Sequence, residues 1–167
     1  ADKFMEWTNT QKQTFDTITK DESRIVIPMY DENKNLIGFQ GRALGKSFTK
    51  YITVMLDEEA PKVYGIEKID KTMAVYITEG PFDSTFICNS IAMCGADVDI
   101  SNWGIRNPVW IYDNEPRNRE IVNRIGRTID NGNSIVIWPT NIIQKDINDM
   151  VLAGKSQSEI MNIINNN

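Results

Sequence analysis

The sequence predicts an α/β protein in which a basic, β-rich N-terminal subdomain precedes a mostly parallel sheet and a C-terminal helix. Between residues 24 and 55, apolar segments separated by an Asn- and Asp-rich turn are typical of antiparallel strands. From residue 73 onward, nearly continuous apolar runs alternate with helical patterns, as in a parallel sheet. These patterns predict a β-rich subdomain over residues 1–71, a sheet-and-helix subdomain over 72–150 and a helical segment over 151–167.

Each element of the N-terminal subdomain has a local signal. Residues 1–22 are polar and mixed, which predicts a helix or an extended arm. Strands are predicted over residues 24–30 and 36–44, and the turn at 31–35 joins them into a hairpin. A third strand is predicted over residues 50–55.

The helices of the second half carry start and stop signals. Pro81 favours the first turn of a helix that extends to about Asn89, and Asn131-Gly132 ends a helix that begins near Pro116. Ser156 and the glutamate three residues later form a capping-box pattern that opens the last helix. The predicted strands are residues 73–78, 90–94, 108–112 and 134–138.

Composition excludes several kinds of site. The 167 residues include no histidine and two cysteines, which excludes Ser–His and Cys–His catalytic pairs and any usual four-ligand zinc site. We expect neither a membrane span nor a secretory leader, because no apolar run approaches the roughly 18 residues that a span needs. Cys88 and Cys94 fit a reducing cytoplasm, and we expect both to be buried as small apolar residues.

The formal net charge of −5 hides a local basic patch. Residues 33–56 contain no Asp or Glu, and four cations lie within them. Such a patch suits a polyanionic partner, and two aromatic rings beside the lysines are candidates for stacking on bases. The alternatives are a solvated hairpin face for the cations and packing roles for the rings. The cations are Lys34, Arg42, Lys46 and Lys50, and the rings are Phe48 and Tyr51.

A second basic group lies on the helix predicted over residues 116–130. We interpret it as an ordinary amphipathic face, in which Arg117, Glu120 and Arg124 have salt-bridge spacing.

Acidic residues follow three predicted strands, close to where each strand ends. They are Glu79, the pair Asp113 and Glu115, and Asp146 with Asp149. Since ligands in open α/β sheets collect at the carboxyl ends of the strands, these carboxylates should meet there and repel each other unless a divalent cation neutralises them. Oxygen ligands without Cys or His favour Mg²⁺ or Mn²⁺, as used in phosphoryl and nucleotidyl transfer.

Two local features bear on that interpretation. Gly80 leaves room for a phosphate to approach the start of the next helix. The alternative treats each acid as a helix N-cap or a solvated turn residue, and Asp83 as a first-turn acid that complements the helix dipole.

Three motifs together resemble a known family. The segments VYITEGPFDS, VWIYDNE and KDINDM resemble, in this order, the TOPRIM domain of bacterial-type DNA primases, with wording most similar to the bacteriophage enzymes. The preceding RIVIPMYDENKNLIGFQGRALG resembles the basic subdomain that comes before TOPRIM in primases and not in topoisomerases. The resemblance covers about residues 23–153 and predicts a Rossmann-like TOPRIM subdomain after the basic one.

The resemblance implies a catalytic core that makes RNA primers on single-stranded DNA from NTPs with Mg²⁺ or Mn²⁺. It implies that Glu79 is a metal ligand or acid–base group, that Asp113 and Glu115 are the acidic pair, and that Asp146 is the last acidic motif. Arg42 and Lys50 match basic residues that, in the family, line the path of template, primer or nucleotide. Lys46 and Tyr51 would belong to the same binding surface. It also implies a replicative helicase as partner of the full-length protein, no zinc in this fragment, and the bacterial host cytoplasm as location.

The chain departs from the family pattern at two acidic positions. Glu115 stands where the family has a second Asp, and Asn148 stands where the last motif usually has another Asp. Two other hypotheses therefore stay open: a TOPRIM nuclease that uses the same acids for hydrolysis, and a non-catalytic module that binds nucleic acid or a helicase.

Overall fold

The computed structural model describes residues 1–95 and 98–167. Two compact units make up the chain, Ala1–Glu67 and Lys68–Asn167. The first is rich in antiparallel strands and the second is built on parallel strands and helices, which confirms the predicted α/β class.

The first unit is a three-stranded antiparallel sheet with one helix. Its helix α1 spans Phe4–Gln11, and β1 (Arg24–Tyr30), β2 (Leu36–Ala43) and β3 (Tyr51–Met55) pair in the order β1-β2-β3. A short strand β4, Val63–Tyr64, lies near the end of the unit. The antiparallel pairing of β1 and β2 confirms the predicted hairpin. In its turn, the Asp31 carboxylate accepts hydrogen bonds from the backbone N–H groups of Asn33 and Asn35 at 2.9 and 2.8 Å.

Helix α1 owes its N-terminus to a residue outside the helix. The backbone N–H groups of Met5 and Glu6 each donate to the Asp21 carboxylate at 2.9 Å. These bonds satisfy two of the donors that every helix start leaves free. They also lower the pKa of Asp21, although its burial acts in the opposite direction.

The core of this unit depends on a glycine in β2. Phe4, Phe39 and Val54 form the buried cluster, with the Phe4 and Phe39 rings edge to face at 6.1 Å. A Cβ atom on Gly41 would lie 2.3 Å from the Phe4 ring, so that ring packs against bare backbone. Close packing of Phe4 therefore explains this glycine, and the register shift between β1 and β2 lies elsewhere, at Met29/Tyr30.

The second unit alternates strands and helices. The strands are β5 (Ala74–Thr78), β6 (Ser90–Met93), β7 (Asn107–Ile111) and β8 (Ser134–Ile135), in the spatial order β6-β5-β7-β8 with parallel pairing throughout. The helices are α2 (Pro81–Thr85), α3 (Arg119–Asp130), α4 (Ile147–Leu152) and α5 (Gln157–Asn165).

Three predicted boundaries in this unit are wrong, each for a local reason. Helix α2 stops well before Asn89, which has a left-handed φ of 51° and donates its side-chain amide to Asp70 and Ala74 carbonyls. Helix α3 begins after Asn118, whose side chain accepts the N–H of Glu120 as an N-cap. Strand β8 ends before Trp138, whose indole N–H donates to the Tyr112 carbonyl at 2.8 Å.

The remaining helical predictions fare differently. The capping box at Ser156 is present in full, with the Glu159 carboxylate accepting from the Ser156 backbone N–H. Helix α4 was not expected from the sequence pattern. It packs Ile147 and Met150 into the core together with Ile160 of α5.

Burial confirms one prediction and corrects another. Cys94 is buried as expected, whereas Cys88 is exposed, so the prediction for Cys88 is wrong. Among the tryptophans, Trp110 is buried, while Trp103 and Trp138 are half-buried. Among the residues described, no helix has the length and apolar character needed to cross a membrane.

Candidate functional site

The parallel pairing of β5 and β7 brings two of the predicted acids together. Thr78 at the end of β5 is in register with Ile111 at the end of β7, so both chains leave the sheet at the same edge. Just beyond that edge, the Asp113 backbone N–H donates to a carboxylate oxygen of Glu79 at 3.4 Å. The expected convergence at the carboxyl ends of the strands is confirmed for this pair.

A narrow cleft lies at this edge and is lined by four carboxylates. Burial, with the neighbouring charge of Glu79, raises the pKa of Asp113 to about 7, and the cation of Lys145 acts in the opposite direction. The Asp113 side chain is therefore close to half-protonated near neutral pH unless a metal ion binds beside it. The acidic lining residues are Glu79, Asp83, Asp113 and Asp146.

The other predicted acids lie at different positions. Glu115 points to Lys145, with its carboxylate 3.4 Å from the ammonium group, and it is not part of the cleft lining formed by the described residues. Asp146 lines the cleft and also caps α4, since it accepts the Asp149 N–H at 2.7 Å. Asp149 itself is exposed. Asp83 accepts the Asn148 N–H at 2.9 Å, so it ties α2 to α4 and does more than complement a helix dipole.

Gly80 occupies the N-cap position of α2 in extended backbone. Its carbonyl accepts hydrogen bonds from the Thr78 hydroxyl at 3.1 Å and from the Ser84 N–H at 3.3 Å. These bonds hold the turn that carries Glu79 away from the end of β5.

Arg124 is a site residue that the sequence analysis assigned to another role. Its guanidinium lies 3.2 Å from Glu79 and over the Tyr112 ring at 4.8 Å from the centroid. The Tyr112 hydroxyl in turn bonds to the Thr128 hydroxyl at 2.8 Å, which fixes α3 against the end of β7. The helical spacing of Arg124 was a signal in the sequence. Arg124 lies three residues after the buried Ile121 and four before the buried Thr128, and therefore on the same face of α3.

Lys145 is a second cation at the site, and the sequence analysis gave it no role. Its ammonium group lies 3.5 Å from Asp113 and 3.4 Å from Glu115. Its position directly before Asp146 in the KDINDM motif was a signal in the sequence. The described residues of the site thus include two cations, Arg124 paired with Glu79 and Lys145 paired with both Asp113 and Glu115.

The chemistry of the acidic residues fits a hard divalent ion held by two carboxylates. In the described part of the chain, no three Asp, Glu or Cys side chains are grouped closely enough to hold a metal ion. Mg²⁺ does not need three, because it usually binds one or two carboxylates and completes its shell with water and phosphate oxygens. Glu79 and Asp113 line the same cleft, and the Glu79 carboxylate accepts the Asp113 backbone N–H.

The residues predicted to bind nucleic acid lie on β2, on β3 and in the loop between these two strands of the first unit. Arg42 and Tyr51 are register partners on β2 and β3; the guanidinium donates to the Tyr51 hydroxyl and lies over its ring at 5.0 Å. The Lys50 ammonium lies 5.9 Å from the same ring centroid, and Lys46 is exposed. Phe48 is fully exposed, at 108%, which excludes the packing role considered for it.

A buried arginine holds the loop that carries these side chains. Arg24 is 2% exposed and is paired with Glu22. Its guanidinium donates to the Thr49 and Lys50 carbonyls at 2.8 and 3.3 Å and to the Ser47 hydroxyl at 3.2 Å. The residues on either side of Phe48 are therefore tied to the core of the sheet.

Comparison with known proteins gives one curated relative. The chain is 40% identical over 150 residues to the DNA primase of Enterobacteria phage T4. The alignment covers 87% of this chain and 44% of that protein, so the chain spans less than half the length of the relative. No protein-family model matches the chain.

Solved structures show the same fold at low sequence identity. The Escherichia coli primase catalytic core is 18% identical, with a TM-score of 0.65 and coverage of 92% of this chain and 56% of that one. A DnaG primase catalytic domain bound to single-stranded DNA is 16% identical, with a TM-score of 0.64 and coverage of 86% and 51%. The primase fragment of the bacteriophage T7 primase-helicase is 17% identical, with a TM-score of 0.62 and coverage of 83% and 61%. Homology to the phage T4 enzyme relates the chain to the bacterial- and phage-type DNA primases, and its fold is that of primase catalytic cores.

Proposed function

We propose that this chain is the catalytic core of a DNA primase, which synthesises short RNA primers on single-stranded DNA by metal-dependent nucleotidyl transfer. The observation that carries the proposal is that the Glu79 carboxylate accepts the Asp113 backbone N–H at 3.4 Å, so that both residues line one cleft just beyond the carboxyl ends of β5 and β7. Burial and the neighbouring charge of Glu79 raise the pKa of Asp113, and a bound divalent cation would relieve this repulsion. Homology to the phage T4 primase supports the choice of reaction.

Glu79 and Asp113 would hold Mg²⁺ or Mn²⁺, and Asp146 lines the same cleft as a third candidate ligand. Glu115 is a candidate through its pairing with Lys145 next to Asp113. When bound, the ion would supply charge neutralisation for the triphosphate and activation of the primer 3′-hydroxyl. Arg124 orients Glu79 through its ion pair, and Gly80 fixes the turn from which Glu79 projects.

The basic surface of the first unit would bind the template strand or the primer–template hybrid. Lys46 and Lys50 supply phosphate contacts, which position a strand without reading its sequence. Arg42 and Tyr51 form a cation–aromatic pair beside them, and the exposed Phe48 ring offers a stacking face for an unpaired base. A related DnaG catalytic domain has been solved with single-stranded DNA bound, which supports this role.

The partners follow from the same proposal. NTPs and the RNA primer are substrate and product, and the chain itself has no residues for a zinc module. The match to a fragment of the T7 primase-helicase supports a replicative helicase as partner of the full-length protein. We place the protein in the cytoplasm of a bacterial host.

The test is extension of a supplied RNA primer on single-stranded DNA with Mn²⁺ and NTPs, because a supplied primer separates nucleotide addition at the acidic site from initiation. Asp113→Asn should abolish nucleotide addition. Asp130→Asn, which changes an exposed acid at the end of α3, serves as the matched control. Extension by Asp113→Asn at the wild-type rate would overturn the proposal. Strand cleavage in place of extension would establish the nuclease, and DNA binding without either reaction would establish the non-catalytic module.

A further inference from the structure

Lys145 lies between two carboxylates that the proposed function assigns to metal binding. Its ammonium nitrogen is 3.5 Å from Asp113 and 3.4 Å from Glu115, so one positive charge bridges both. The ammonium group of a lysine is charged at neutral pH.

The lysine is held there by the residue between the two acids. The Asn114 backbone N–H donates to the Lys145 carbonyl at 2.6 Å, and its side-chain amide donates to the Ile142 and Gln144 carbonyls at 2.9 and 3.0 Å. Three hydrogen bonds thus fix the segment before α4 against the turn after β7. The placement of Lys145 follows from this backbone clamp and does not depend on a chance surface encounter.

A charge in this position affects how many ions the site can hold. A pair of carboxylates attracts a divalent ion through its negative charge. A cation that already lies between the two carboxylates removes most of that attraction and repels the divalent ion. Arg124 pairs with Glu79 Oε2, whereas Glu79 Oε1 accepts the Asp113 N–H. Lys145 approaches Asp113 Oδ2 at 3.5 Å, and Asp113 also lines the cleft with Glu79. The side of Asp113 that faces Lys145 therefore differs in charge from the side that faces Glu79.

We propose that Lys145 acts as a tethered cation that takes the place of a second divalent ion between Asp113 and Glu115, so that the nucleotide-free site holds one ion, at Glu79 and Asp113. The inference rests on the proposed function, because it concerns the number of ions in the same acidic site. It assigns Lys145 a role as a positioning residue that sets metal stoichiometry and does not touch the reacting atoms. It also gives a physical reason for Glu115, whose longer side chain extends to the lysine.

The test is Mn²⁺ binding without nucleotide, measured by titration calorimetry and by loss of the free Mn²⁺ electron paramagnetic resonance signal. Wild type should bind one ion and Lys145→Met two, with the first about tenfold tighter than in wild type at low salt. Lys145→Arg, which keeps the charge, should return to one ion. Lys155→Met, in the loop between α4 and α5, is the matched control and should bind like wild type.

Two results overturn this inference alone: two or more ions in wild type, or one ion in Lys145→Met whatever its affinity. Either would leave the proposed function in place, since Mn²⁺ still binds the acids. No binding in wild type overturns both the inference and the proposed metal centre. Circular dichroism of each variant verifies that the comparison is made between folded proteins.

Discussion

The Asp113 backbone N–H donates to the Glu79 carboxylate at 3.4 Å, across 34 positions of sequence. Neither residue reaches the other through local structure, because each projects from the end of a different strand. The parallel register of β5 and β7 creates the contact, and it places two acids where ligands of open α/β sheets bind. Four predictions follow from this and from the other contacts described above.

The stability of the metal-free protein should depend on the protonation of Asp113. Its folded-state pKa of about 7 lies above the ordinary value of 3.8, so its contribution to stability is complete below the ordinary value and is lost as pH rises through the folded value. Asp113→Asn removes that loss, and should be more stable than wild type by about 2–4 kcal/mol at a pH of about 8. Thermal unfolding in EDTA between pH values of about 4 and 8 measures the difference.

Asp130→Asn is the control for that experiment, since it removes an exposed carboxylate of the same unit. It should leave the shape of the pH profile unchanged. Parallel pH profiles for wild type and Asp113→Asn would show that burial and Glu79 do not disfavour the charged form of Asp113.

Removal of the two lysines of the β2–β3 loop should weaken binding of single-stranded DNA. In Lys46→Ala/Lys50→Ala, the slope of log K against log salt should become shallower by about 1.4, because each phosphate contact to a single strand adds about 0.7. Fluorescence anisotropy across a salt series measures the slope. Lys20→Ala/Lys62→Ala removes two exposed lysines elsewhere in the same unit and should keep the wild-type slope; an unchanged slope in the loop variant would reject the surface.

Phe48→Ala should weaken binding of single-stranded DNA by about 1–3 kcal/mol while leaving the salt slope as it is, since stacking involves no counterion release. The ring is fully exposed, so its removal should not change the melting temperature. Phe48→Trp keeps an aromatic face and should bind at least as well as wild type. Equal affinity of Phe48→Ala and wild type would mean that the ring contacts no base.

Gly41→Ala should destabilise the protein by about 1–3 kcal/mol, because the new methyl group would lie 2.3 Å from the Phe4 ring. Urea denaturation measures the loss in free energy of unfolding. Gly45→Ala, where a Cβ atom meets nothing within 4 Å, is the control and should be nearly neutral. A smaller side chain at Phe4 should recover part of the loss in a double-mutant cycle, and purely additive effects would contradict the contact.

Local signals in the sequence determined the elements whose stabilising contacts are close in the chain. The Asp31 turn and the Ser156 capping box form through bonds that span at most four positions, and the turn brings the strands of the hairpin together. Apolar runs followed by acids predicted the meeting of Glu79 and Asp113, because parallel strands bring their carboxyl ends to one edge.

Tertiary structure decided the charges around those acids and the surface of the nucleic-acid loop. Arg124 pairs with Glu79 and Lys145 with Asp113 and Glu115 because helix packing and the Asn114 clamp bring them there. Helical spacing places Arg124 on the same face of α3 as Ile121, but it does not specify the acid with which Arg124 pairs. In the same way, Arg24 ties the loop around Phe48 through carbonyl groups, which every residue has and which therefore leave no trace in the sequence. Side-chain type and spacing predict where strands end, whereas the partner of a buried charge depends on the three-dimensional path of the backbone.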